Sequence, residues 1–64
     1  MTFAERVKAY LADNKISQAW LCRQTGLKIP AMSRWLNEGR KMPVEAAIKI
    51  SKVLNLPIIE EEKE

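Results

Sequence analysis

Residues 17–37 read SQAWLCRQTGLKIPAMSRWLN, and this stretch decides the fold. Ser17 is a good helix N-cap, because its hydroxyl can accept from backbone N–H groups that lack a helical partner. A short helix is therefore expected over about 17–24. Thr25 and Gly26 stop it, and Gly26 can take positive φ without steric cost. A second short helix is expected over about 29–36, with Pro30 in its first turn, where a missing N–H is tolerated. Cys22 is small and lies four residues before Gly26, on the inner side of the first helix of the pair. A small side chain there lets the second helix cross closely. Leu21, Leu27, Met32 and Trp35 supply apolar anchors on both sides of the turn, and Leu36 points inward with them. Two short helices joined by a tight glycine turn make a helix-turn-helix. Lys28, Ser33, Arg34 and Asn37 are left facing outward.

Working outward, residues 2–13 read as a preceding helix. Thr2 and Glu5 have the spacing of a capping box. Phe3, Val7, Tyr10 and Leu11 recur at helical spacing and make an apolar stripe. Asn14 is expected to end this helix in the left-handed conformation. After the motif, Arg40, Lys41 and Met42 form a basic connection. Pro43 and Glu45 open a fourth helix over about 43–55. Val44, Ala47, Ile48, Ile50, Ser51 and Leu54 are its expected inner face. Pro57 keeps the helix from continuing. Leu56, Ile58 and Ile59 need cover: they either fold back over the first and fourth helices or pair two chains, and dimerisation is the reading adopted. The fold class is thus all-α, with four helices and a short irregular or strand-like C-terminal segment. One domain spans 1–59, and an acidic tail spans 60–64.

Composition narrows the function. The chain has 64 residues with one cysteine and no histidine. No intrachain disulfide can form, a structural zinc site is not expected, and no cofactor or small-molecule ligand is implied. Without histidine or a pocket of paired carboxylates, an enzyme is not expected. Cys22 is read as a core residue. No apolar run approaches the ~20 residues that span a bilayer. The N-terminus also lacks the apolar stretch of a signal peptide, so a cytoplasmic chain without membrane contact is expected. The net charge of +3 is unevenly spread: residues 1–59 carry +6 and residues 60–64 carry −3. A body this basic suits a polyanionic partner.

The run Ser17-Gln18-Ala19-Trp20-Leu21, then Gly26, then Met32-Ser33-Arg34-Trp35, resembles the lambdoid phage Cro and repressor family, also called the XRE-type helix-turn-helix family. The resemblance extends through Gly39, Pro43 and the helix after it. Ile29, Pro30 and Trp20 depart from that family's polar residues, and Pro57 stands where a fifth helix often occurs. The resemblance implies a transcriptional regulator that represses by occupying a double-stranded DNA operator, as a homodimer at least on DNA. It implies that the helix over 29–36 enters the major groove. Base readout would then fall to Lys28, Ile29, Ser33 and Arg34, and phosphate contacts to Gln18, Asn37, Arg40 and Lys41. Leu56, Ile58 and Ile59 are the dimerisation residues of this reading. The alternative is a protein-interaction module, such as an antitoxin that binds and neutralises a partner, motivated by the same apolar segment and the acidic tail.

Overall fold

A computed structural model describes residues 2–58. These hold four helices: α1 (Phe3–Asp13), α2 (Gln18–Thr25), α3 (Ile29–Asn37) and α4 (Val44–Leu54). No strand occurs among the described residues, and Leu56, Pro57 and Ile58 are irregular. Ile59 and the acidic run lie outside the described residues.

Local chemistry sets the helix starts. The Thr2 hydroxyl accepts from the Glu5 N–H at 3.2 Å, and the Glu5 carboxylate accepts from the Thr2 N–H at 2.9 Å, so the capping box is complete. Ser17 caps α2 by accepting from the Trp20 N–H at 3.0 Å. Pro43, with extended backbone, is the cap residue of α4. Lys28 precedes α3 without a side-chain cap, and Pro30 lies in the first turn.

Left-handed cap residues end α2 and α4. Gly26 has φ +78°, and its N–H donates to the Cys22 carbonyl at 2.7 Å. A Cβ built at Gly26 meets nothing within 4 Å. The cost of Gly26→Ala is therefore purely conformational, about 1–2 kcal/mol for an L-residue held in this region. A thermal melt should show this as a lower midpoint with cooperativity retained. Asn55 ends α4 at φ +58°. At the end of α1 the expectation is corrected. Asn14 stays at φ −102°, with its side-chain amide donating to the Tyr10 carbonyl, and Lys15 takes the left-handed turn at φ +57°. The reversal falls one residue later because Ile16 must reach the core. Its N–H donates to the Leu11 carbonyl at 2.9 Å, and its side chain packs against the buried cluster.

That cluster is Phe3, Val7 and Leu11 from α1, Leu21 and Cys22 from α2, Met32 and Leu36 from α3, and Ala47, Ile50 and Leu54 from α4. α2 packs on both α3 and α4, and α1 packs on α3. Tyr10, Trp20, Leu27 and Trp35 are half-buried around it, and Met42 joins them from the loop read as a basic connection. The Cys22 thiol is free and buried, and burial raises its pKa above the ordinary thiol value. The neutral thiol is the form the fold favours. Its contribution to stability is full below the unfolded thiol's pKa and is lost as pH rises through the higher folded value. Thiol reagents at neutral pH should label the denatured chain quickly and the native chain slowly.

The inner face of α4 also needs correction. Val44 and Ile48, expected inside, are 73% and 42% exposed, while Ala46 is buried beside Ala47. α4 turns its two small alanines inward with Ile50 and Leu54, which allows close approach to the bundle. The bulkier Val44 and Ile48 are left on an open flank. Leu56 folds back: its N–H donates to the Ser51 carbonyl at 3.2 Å, the Ser51 hydroxyl donates to the Leu56 carbonyl, and its side chain packs on the core.

Candidate nucleic-acid interface

The α2–α3 pair presents one polar face. α3 is anchored by Met32, fully buried, and by Leu36 one turn later. Burying these two turns the opposite side of the helix to solvent. Positions 30, 34 and 37 share that outward side by helical spacing, and Pro30, Arg34 and Asn37 are all exposed. Pro30 is thus part of the presented surface, next to Arg34, as well as a rigid first-turn residue. Lys28 and Ile29 are exposed at the entrance to α3, Ile29 to 55%. Ser33 is half-buried, on the side of α3 that faces the start of α2.

A short polar chain holds the two helices in register. The Gln18 side-chain amide donates to the Asn37 side-chain carbonyl at 3.3 Å. The Asn37 amide in turn donates to the Ser33 hydroxyl at 3.2 Å. Sequence reading assigned Gln18 and Asn37 to phosphates and Ser33 to base readout, and the structure brings the three into one connected strip. Both side-chain amides lie at the surface, where a phosphate oxygen could replace one of these bonds.

Arg40 and Lys41 are exposed beyond the C-terminal end of α3. The loop that carries them reverses through Gly39 at φ +73°, and the Arg40 N–H returns to the Arg34 carbonyl at 3.1 Å. This loop forms one wall of a cleft against the first turns of α1. Glu5, Lys8, Trp35, Asn37, Arg40 and Lys41 are among its lining residues. Lys8 thereby joins the two loop cations on the Asn37 side of the surface. Sequence reading missed it because its neighbourhood with Arg40 and Lys41 depends on how α1 packs on α3. The available signal was its polar position on the amphipathic first helix.

The proposed dimerisation residues are divided. Leu56 is half-buried against the chain's own core, Ile58 is 44% exposed, and Ile59 lies outside the described residues. Among the described residues no group of three or more His, Cys, Asp or Glu is placed to hold a metal. No helix among them is long and apolar enough to cross a membrane.

Chemically, the surface combines a guanidinium on a rigid helix, amides and a hydroxyl beside it, and ammonium groups at its margins. Such a set can bond base edges at its centre and phosphates at its rim.

No curated protein and no solved structure matches the chain. A family model does match, that of Hepatocyte nuclear factor 1 (HNF-1), N terminus, over residues 1–48. This finding overturns the resemblance to the lambdoid phage Cro and repressor family. The features that carried that resemblance are an N-cap serine, a small inner residue, a turn glycine and apolar anchors. Each is a geometric demand that any close-crossing helix pair must meet, so together they indicate two short helices joined by a tight turn and say little about lineage. The match spans three of the four helices and the start of α4, and the chain belongs to the family of the Hepatocyte nuclear factor 1 (HNF-1) N terminus.

Proposed function

We propose that this chain is a sequence-specific, double-stranded DNA-binding module of a transcription factor, which acts as a homodimer and performs no catalysis. The observation that carries this reading is the outward face of α3: Pro30, Arg34 and Asn37 exposed together on a helix that Met32 and Leu36 fix in place. α3 enters the major groove in this proposal. Arg34 bonds a base edge, since a guanidinium matches the paired acceptors of guanine. Lys28, Ile29 and Ser33 contact the flanking positions. Gln18, Asn37, Arg40 and Lys41 take phosphates, with Lys8 added to that set. Family membership supports the role in transcription and the self-association.

Selection of bound sites from a pool of random DNA duplexes tests the proposal. A recurring motif with two inverted half-sites, about 34 Å apart or a multiple of that, is expected for a two-fold dimer. A pool that shows no enrichment after several rounds counts against DNA binding altogether.

A further inference from the structure

α4 carries a flank that the fold leaves open. Val44 and Ile48 sit one turn apart on it, 73% and 42% exposed. Lys52 stands at the next turn, and Glu45 lies beside the row; both are exposed. The Leu56–Ile58 segment leaves the helix on the Ser51 side, held by the Ser51–Leu56 hydrogen bonds, and Ser51 adjoins Ile48 around the helix. Ile58, two residues after Leu56, is 44% exposed. An apolar row with an acid at one end and a base at the other is complementary to itself when reversed.

We infer that this flank is the dimer interface, with a second copy of the chain as its occupant and the two α4 helices packed antiparallel about a two-fold axis near Ile48. In that arrangement residues 45 and 52 lie level with one another across the axis. Glu45 then meets the partner's Lys52, and Lys52 meets the partner's Glu45, one ion pair on each side of an Ile48–Ile48 contact. Val44 lies level with the carboxyl end of the opposing α4, where the Leu56–Ile58 segment departs. A two-fold interface requires such reciprocity, since residue i touching j entails j touching i. The deduction rests on the homodimer reading and locates it on α4, which straddles the end of the residues matched by the family model: Val44, Glu45 and Ile48 lie within them, and Lys52 lies beyond. It does not depend on α3 contacting DNA. A single helix pair buries less than a standard interface, so the dimer is a reversible one that two adjacent half-sites on DNA would reinforce.

Sedimentation equilibrium of the full chain over a wide concentration range tests this, with circular dichroism as the control for folding. The wild type should show a monomer–dimer equilibrium. Ile48→Glu removes a half-exposed contact and should weaken dimerisation tenfold or more while helicity is unchanged. Glu45→Lys and Lys52→Glu should each weaken self-association, and the double variant, which restores opposite charges across the axis, should recover it. A wild type that stays monomeric throughout overturns the inference, as does an Ile48→Glu chain that dimerises normally or a double variant no better than its parents. Arg34→Ala separates the two proposals. Its dimerisation should be unchanged even where its DNA affinity falls, so either reading can fail without the other.

Discussion

Replacing Phe3 with alanine is expected to leave the domain largely unfolded at room temperature. Phe3 is 1% exposed and is among the largest of the fully buried side chains. Its removal forfeits transfer energy and leaves a cavity, a combination that costs about 3–5 kcal/mol for phenylalanine. A core in a chain this short rarely supplies more than about 3–5 kcal/mol of net stability. There is no disulfide to offset the loss, since Cys22 is the sole cysteine. The Thr2–Glu5 capping box fixes the start of α1, so the helix cannot easily shift to refill the space. Urea titration monitored by far-ultraviolet circular dichroism would read the effect directly. A Phe3→Ala chain that melts cooperatively with less than about 1 kcal/mol of lost stability would show that α1 is not packed as described.

Arg34→Ala should have the largest effect on DNA recognition. Arg34 is exposed, so its truncation leaves the core intact and any loss belongs to binding. One bidentate arginine–guanine contact is worth about 1–3 kcal/mol of discrimination, roughly 5- to 150-fold in affinity for the preferred site. The selectivity should relax at one base pair of each half-site and persist elsewhere. Lys41→Ala should behave differently. A phosphate contact weakens binding about equally on all sequences and lowers the slope of log affinity against log salt by about one. Titration of a selected duplex and of a scrambled one, at two salt concentrations, distinguishes these patterns. Unchanged affinity and selectivity for Arg34→Ala would remove α3 from the proposed interface.

Much of the candidate site was legible because its parts are local. Lys28, Arg34, Arg40 and Lys41 could be placed at the surface from helical spacing and turn residues alone, and they are exposed. The link between Gln18 and Asn37 was not legible, since it joins residues nineteen apart through a contact that exists only once α2 crosses α3. Lys8 was missed for the same reason. Family lineage was misread because helix-crossing geometry constrains the motif residues far more strongly than ancestry does.

By itself the sequence determined the four helices, their starts and the turn between the two that matter most. Thr2, Glu5 and Ser17 cap through bonds within three residues, and Gly26 is suited to the left-handed turn whatever surrounds it. Such bonds form between near neighbours, so the local residues suffice to specify them. The sequence placed Ala47, Ile50 and Leu54 on the inner face of α4, and the tertiary structure alone decided that Val44 and Ile48 stay out and Ala46 goes in. Val44 and Ile48 are as apolar as Ile50 and Leu54, and periodicity cannot rank apolar residues that lie on several sides of one helix. Packing chose the side carrying Ala46 and Ala47, because small side chains let α4 approach the bundle closely, and this left Val44 and Ile48 open to solvent. The reversal at Lys15 in place of Asn14 has the same origin. The chain turns where Ile16 can be packed against the core, not where the residue best suited to the turn happens to stand.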